Sequence, residues 1–380
     1  MKPKVLMIDV GGWGGITHYT YNLMAALARN GKCDCTLLTD RQYELEPLPR
    51  NFEIIKKSLN NQPYGRAVKS VFEAIRQVKP QIIHVQTMIT ARRDWLLFRL
   101  GGLLGKRIVL TCHNVLPHED AEKQAFFMRQ ALANIYAASR AIIAHSEFSR
   151  ARLIELFGVP AAKITVIPHG NYLFFRRTEM SQAEARQALG LPADARIVLQ
   201  FGAIRLYKGI DVLLEAFAGV REAGKDVRLL LAGKPMHLDP AGIFEAIRRL
   251  GLEDAVIVKA GYVDFDDIAK YFFASDAAVF PYKEIDMSGS LQLAFAFERP
   301  VVAARSGGLP EVIEDGKNGL LFSANDVTEL AGCLSRLLGD DALRQNLGQA
   351  GLRLARERFS WEPIAAGTVS VYERVIAQGK

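Results

Sequence analysis

Two groups of residues have the types and spacing for chemistry. In Phe201-Gly202-Ala203-Ile204-Arg205-Leu206-Tyr207-Lys208-Gly209, an apolar run ends in two cations ahead of a glycine. Arginine offers a planar fork of donors and lysine a point charge, the pair that holds phosphates and neutralises developing negative charge. From Phe280 to Phe322 the order is an apolar run, a polar loop with Glu284, Asp286, Ser288 and Gly289, a helical stretch, and a second apolar run. Ser288, Gly289 and Ser290 stand at the helix start, whose first amides lack internal acceptors and suit an anion such as a diphosphate. Glu284 and Asp286 would be repelled by that anion, so they are expected to serve hydroxyl groups. A diphosphate beside a polyol describes a nucleotide sugar.

Three further motifs are weaker. Thr111-Cys112-His113-Asn114 ends a buried strand and enters the loop Val115-Leu116-Pro117-His118-Glu119, which places His113 to touch a substrate. Val10-Gly11-Gly12-Trp13-Gly14-Gly15 joins the first strand to a helix. It is not G-x-G-x-x-G, and Asp40 is the one acidic residue near a ribose-binding position, so a dinucleotide fingerprint fails. The paired glycines, Gly14 and Gly15 among them, still admit an anion or sugar close to the backbone. Asp264-Phe265-Asp266-Asp267 has D-x-D spacing, but it lies before a helix and reads as a cap. No bound metal is expected.

These residues need a frame, and the chain supplies strand–helix alternation throughout. Strands read at Val5–Val10, Cys35–Thr39, Ile82–Gln86, Ile108–Cys112, Ala141–His145 and Ile164–Pro168, then at Ile197–Phe201, Val227–Ala232, Val256–Lys259, Ala277–Pro281, Val301–Ala304 and Leu320–Phe322. Helices read between them, including Ile16–Arg29, Tyr64–Val78, Asp120–Ala138 and Ser149–Phe157. Nearly continuous apolar strands are those of parallel sheets covered on both faces. The fold class is therefore α/β, with two doubly wound Rossmann-like domains facing a central cleft. The boundaries are 1–170, a linker at 171–195 with a short helix ended by Gly190 and Pro192, 196–360, and a last amphipathic helix at 361–380 able to return to the first domain.

Composition agrees with this frame. A chain of 380 residues exceeds the usual single core. No apolar run suggests a membrane span, and the N-terminus lacks the marks of a signal peptide, so a cytoplasmic location is expected. Cys33, Cys35, Cys112 and Cys333 read as strand and core thiols, not as a disulfide framework or metal site. Residues 1–170 carry 23 Lys and Arg against 13 Asp and Glu, and the remainder 25 against 28. The basic residues are spread over several helices without a nucleic-acid motif, which argues against nucleic acid. An anionic membrane surface or a lipid-pyrophosphate substrate fits better, beside the reading of a merely solvated basic face.

With these residues in place, the chain resembles the retaining glycosyltransferases of GT-B fold, family 4 (glycosyltransferase group 1), over almost its whole length. The resemblance is carried by GGWGGITHYTYNL, VIPHGN, FGAIRLYKGID, LLLAGKP, FPYKEIDMSGS, RPVVAARSGGLPEVIEDGKNGLLF and FSWEPIAAGTVSVYERV, in the family's order and spacing. It implies a second domain that binds a nucleotide-diphosphate sugar and a first domain that binds the acceptor. Lys208 matches the lysine that contacts the donor diphosphate. The family's arginine sits two positions before Arg205, at Ala203. Its two glutamates, with seven residues between them, fall on Ile285 and Leu293, flanked by Glu284 and Asp286 at the first.

The resemblance implies metal-independent transfer of a hexose-type sugar, with retention, to a saccharide or polyprenyl-linked saccharide. Such an enzyme would build a surface polysaccharide or glycolipid, peripheral on the inner face of the plasma membrane. The donor is a substrate, and no other cofactor is expected. Donor contacts are expected from Gly14, Gly15, Arg205, Lys208, Ser288, Gly289 and Ser290, and sugar orientation from His113 with Glu284 or Asp286. The basic Arg92-Arg93, Arg99 and Lys106-Arg107, around the apolar Trp95–Leu104, are expected to rest on anionic lipid. The rival readings are a sugar-nucleotide epimerase and a nucleotide-sugar-binding subunit without catalysis.

Overall fold

A computed structural model describes residues 2–103, 105, 107–116, 122–222, 226–236 and 240–378. Lys106 and the loop Pro117-His118-Glu119 lie outside them. The chain divides into two compact units, Met1–Gly170 with Ser360–Lys380, and Asn171–Phe359.

In the first unit the strands are β1 (Lys4–Asp9), β2 (Asp34–Asp40), β3 (Glu53–Lys57), β4 (Ile82–Val85), β5 (Arg107–Cys112), β6 (Ala141–Ala144) and β7 (Ile164–Val166). They form one parallel sheet in the order β3-β2-β1-β4-β5-β6-β7. Its helices are α1 (Gly14–Asn30), α2 (Tyr64–Val78), α3 (Ala91–Leu103), α4 (Glu122–Ala138) and α5 (Glu147–Phe157). Strand β3 escapes the sequence reading because Glu-Ile-Ile-Lys-Lys is an edge strand with none of its residues buried, so it has no apolar run. Leu6, Ile8, Ile83, Val85 and Leu110 form the core on one face of the sheet.

In the second unit a short helix α6 (Gln182–Leu189) precedes β8 (Arg196–Phe201), α7 (Ile210–Glu222), β9 (Val227–Gly233), α8 (Pro240–Arg249) and β10 (Val256–Ala260). There follow α9 (Ile268–Ala274), β11 (Ala277–Phe280), α10 (Gly289–Ala296), β12 (Val301–Ala304), β13 (Leu320–Phe322), α11 (Val327–Gly339) and α12 (Asp341–Glu357). The parallel order β10-β9-β8-β11-β12-β13 is that of a Rossmann sheet, with its switch point between β8 and β11. Residues 171–195, read from the sequence as a linker, pack into this unit, where Tyr172, Phe175 and Ala185 are buried in the core. Ser181 and Glu184 close a capping box at the start of α6, and Gly190 ends it in the left-handed conformation.

The last helix, α13 (Trp361–Ala377), belongs to the first unit. Its Trp361 ring stands 5.1 Å from that of Tyr19 on α1, and a Cβ at Gly170 would fall 2.4 Å from Trp361. Only glycine fits beneath that ring. Among the described residues no helix is long and apolar enough to cross a membrane.

Candidate functional site

At the switch point of the second sheet, two loops leave adjacent strands and are fastened to each other. After β8 comes a single turn, Leu206–Lys208, ended by Gly209 at φ 68°. A Cβ on Gly209 would stand 1.9 Å from the Pro281 carbonyl oxygen, so the loop after β11 presses against it. The Lys283 amide donates to the Tyr207 carbonyl at 2.8 Å, and the Lys283 ammonium pairs with Asp211 at 2.6 Å. Beyond β12, the Ser306 hydroxyl donates to the Lys283 carbonyl at 2.9 Å, and the Gly308 amide to that of Ile285 at 3.2 Å.

This fastening brings Lys208, Ser288 and Ser290 together. Gly202, at φ 99°, is the floor: a Cβ there would lie 3.1 Å from Lys208 Nζ and 3.2 Å from Ser290 Oγ. Lys208 Nζ also stands 5.4 Å over the Tyr282 ring. The buried Tyr282 hydroxyl is hydrogen-bonded by Ser288 and Ser290. Ser288 caps α10, its oxygen accepting from the Leu291 amide at 3.3 Å.

Lys208 is buried and has no acidic partner among the described residues. Burial, reinforced by the Arg205 guanidinium, lowers its pKa from 10.5 to about 7. Arg205, half-buried, reaches Met236 Sδ at 3.4 Å. A buried cation beside a second cation and a helix start is a place prepared for an anion.

The two carboxylates differ: Glu284 is exposed, whereas Asp286 is 1% exposed. Ile285 and Leu293 lie in the apolar core. Asp264 stands at the N-cap of the turn before α9, with Asp266 and Asp267 in its first turn, the positions expected of a cap, but neither Asp264 nor Asp267 makes a side-chain capping hydrogen bond; Asp267 pairs with Lys270 and Asp266 with Arg177.

His113, Gly14 and Gly15 belong to the other unit. The Gly14 amide donates to the Glu44 carboxylate at 2.9 Å, and the same oxygen lies 3.0 Å from His18 Nε2. The start of α1 is thus occupied by the protein's own carboxylate. Asp40 is likewise committed, accepting from the amides of Gln42, Leu59 and Asn60.

Around His113 the structure gathers residues the sequence reading passed over. His113 Nε2 is 2.9 Å from the Gln86 side chain, and its Nδ1 is 3.3 Å from His145 Nε2. His145 Nδ1 donates to the Ile167 carbonyl at 3.0 Å. Gln86 continues to His84, which meets Thr111 and Tyr372. The Gln86 Oε1 accepts from His113 Nε2, while the Gln86 Nε2 donates to Met7 Sδ and stands 3.2 Å from His84 Nε2. Burial keeps the rings neutral, lowering His84 and His169 to about 3 and His145 to about 4, with His113 well below its usual value. Tyr19, with its hydroxyl buried and unpartnered, has its ring 5.0 Å from each of His113, His145 and His169. One signal for this cluster was available: His113, His145 and His169 each stand at or just beyond the end of an apolar strand run.

Comparison with known proteins adds to this geometry. The family model described as glycosyl transferases group 1 matches residues 195–340, and that described as Glycosyltransferase Family 4 matches residues 13–171. A D-inositol 3-phosphate glycosyltransferase of Kineococcus radiotolerans is 31% identical over 96% of this chain and 92% of its own length. Another, of Xylanimonas cellulosilytica, is 34% identical over 63% of this chain. The chain spans little more than half the length of the first curated relatives it matches, 58% and 56% in two of them. Among solved structures, Anabaena HepE in complex with UDP and glucose has a TM-score of 0.80 at 21% identity, covering 98% of this chain and 100% of that one. A sucrose-phosphate synthase of Thermosynechococcus elongatus has a TM-score of 0.77 at 23% identity, covering 99% and 100%. These likenesses show the fold, that of the GT-B proteins.

Proposed function

Because the chain belongs to the group 1, family 4 glycosyltransferases, we propose that it moves a hexose-type sugar from a nucleoside-diphosphate donor to a saccharide or lipid-linked acceptor. The observation that carries this reading is Lys208, a buried cation without an acidic partner among the described residues, at the switch point of a Rossmann sheet.

In this reading Lys208, Arg205 and the start of α10 at Ser288–Ser290 hold the donor diphosphate and stabilise it as it departs. Preorganised charge of this kind acts most strongly where charge develops in the transition state. Glu284 and Asp286 take the sugar hydroxyls. His113, with both ring nitrogens engaged, acts as a positioning residue of the first unit. Transfer is metal-independent and retaining: the acceptor oxygen bonds to the anomeric carbon as the bond to the leaving phosphate breaks. The acceptor's proton passes to that phosphate. HepE structures contain UDP and UDP-glucose, so the uridine donors are the first to try.

For the acceptor, the first unit offers exposed Arg93 and Arg99 with Leu96 on α3, and exposed Phe126 and Phe127 on α4. We assign this face to an anionic membrane surface, consistent with a glycolipid or surface polysaccharide made by a peripheral enzyme. The curated relatives, named for D-inositol 3-phosphate, make a small phosphorylated polyol the alternative acceptor.

Calorimetry with UDP, GDP, ADP and dTDP sugars in the presence of EDTA tests the donor site. Saturable binding of one donor, lost in Lys208→Ala, is the expected result. Binding without turnover on any acceptor would favour a non-catalytic subunit, a reading that the burial of Ile285 and Leu293 keeps in contention. No binding at all would end the transferase reading.

A further inference from the structure

Two thiols of the first unit take no part in the reading above. Cys35 lies in the first turn of strand β2 and Cys33 in the bend just before it, with Asp34 between them. Alternate residues of an extended chain face the same side, so the two thiols emerge together while Asp34 is exposed. Their Sγ atoms are 3.3 Å apart. A disulfide bond is about 2 Å long, so the sulfurs have only about an ångström to travel. The sequence reads these residues as separate core thiols, and the fold makes them a pair.

Both line a hollow of about 550 Å³, together with Lys2, Lys4 and Asn51. Cys33 is 5% exposed and Cys35 half-buried, so a small reagent in the hollow is favoured over another protein's thiol. The hydrogen bond with the Cys35 thiol, aided by the Lys2 charge, holds the Cys33 thiol below its ordinary pKa, against burial and the Asp34 charge. The same contact, then burial, puts the Cys35 thiol well above its own. An attacking thiolate beside a resolving thiol is the arrangement of a redox-sensitive pair. Among the described residues no set of three or more histidine, cysteine or acidic side chains is grouped to hold a metal ion, as a structural zinc would require. The other cysteines are placed differently: Cys112 donates to the Asn114 carbonyl at 3.3 Å, and Cys333 lies on α11 of the second unit.

We propose that Cys33 and Cys35 form a redox-active dithiol, oxidised to a disulfide by a small hydroperoxide and reopened by an external dithiol. With hydrogen peroxide, the Cys33 thiolate attacks one oxygen and the O–O bond breaks. The departing hydroxide takes up the proton that Cys33 gave up and leaves as water, with Cys33 now a sulfenic acid. Cys35 then attacks the Cys33 sulfur, the S–O bond breaks, and the hydroxide leaves as water with the Cys35 proton. The two thiols lose two electrons and two protons, and the peroxide becomes two waters. An external dithiol returns both electrons and protons by exchange through a mixed disulfide. The pair sits at the start of β2, whereas His113 follows the far end of β5 in the same parallel sheet. The site is therefore distinct from the residues assigned to transfer and does not depend on the donor reading.

The test is mass spectrometry of the full chain after hydrogen peroxide, with free thiols blocked by one alkylating reagent and those released by reduction marked with a second. Cys33 and Cys35 should carry the second label together, and dithiothreitol added before blocking should restore the first. Cys35→Ser should stop at a sulfenic acid on Cys33, trapped by dimedone. Cys33→Ser should slow oxidation of the remaining thiol by about tenfold or more. The labelling of the unsubstituted chain decides the matter even where a variant folds poorly. Cys33 and Cys35 still free after peroxide, or each converted separately to sulfinic acid, overturns the proposal. So does a disulfide between two copies, seen as a dimer on a non-reducing gel. Donor binding is read separately with nucleotide sugars and stands or falls apart from these outcomes.

Discussion

The hydroxyl of Tyr372, on the last helix, lies 2.6 Å from Nδ1 of His84 in the middle of the first sheet, joining residues 288 apart in sequence. Both side chains are fully buried, so the bond is shielded from water. Tyr372→Phe would leave the buried His84 Nδ1 without its hydrogen-bond partner, at a cost of about 1–3 kcal/mol. Chemical denaturation should show that loss in the first unit, with donor affinity in the second unchanged. An unaltered midpoint would mean the bond contributes nothing net.

The histidine cluster makes stability depend on pH. Its rings titrate near 3 to 4 when folded, against about 6.5 in an unfolded chain. Below pH 6.5 the unfolded state therefore binds more protons, and stability falls with pH until the folded values are reached. Each such ring costs about 2 kcal/mol between pH 7 and pH 5. Hydrogen exchange of β4–β7 at the two pH values should show the loss, and His145→Asn should reduce it. Equal protection at both would contradict the buried, neutral assignment.

Lys208 links donor binding to protons. Its free-protein pKa is about 7, and a bound diphosphate favours the charged form. Donor binding should take up about half a proton at pH 7, and affinity should weaken up to tenfold from pH 7.5 to 8.5. Calorimetry in buffers of different ionisation enthalpy reads the uptake. Lys208→Arg, always charged, should remove it.

Turnover is the harder demand on the same side chain. Lys208→Ala should cost about 2–4 kcal/mol of transition-state stabilisation, the scale for losing one preorganised donor. That is a fall in kcat of roughly 30- to 10³-fold. An unchanged kcat would remove Lys208 from the mechanism.

Gly202 should tolerate no side chain. At φ 99°, alanine is strained, and its Cβ would crowd Lys208 Nζ and Ser290 Oγ. Gly202→Ala should lower stability by about 1–3 kcal/mol and weaken donor binding beyond what that loss explains. Native donor affinity in the variant would show that the floor is not shared with the ligand.

Much of this protein was legible in its residues. Apolar runs of parallel strands gave β8, β11 and β12 nearly to the residue, because a strand covered on both faces must be apolar along its length. Arg205, Lys208 and Ser288–Ser290 were nominated from local chemistry, since loops at strand ends carry their groups in short sequence windows. Edge strand β3 was missed, because one exposed, charged strand has no such run.

What only the tertiary structure decided is which groups share a place. Lys208 and Ser290 meet because β8 and β11 are neighbours in the sheet, though their starts at Arg196 and Ala277 lie 81 residues apart and the α10 cap at Ser288 is farther still. Glu44 fills the start of α1, and Gln86 and His145 occupy both nitrogens of His113, by contacts across 26 residues or more. The sequence alone determined the elements and the chemistry they carry, because those depend on local periodicity and residue type. Whether a charge is paired, buried or open depends on strand order and packing, and so on the folded chain.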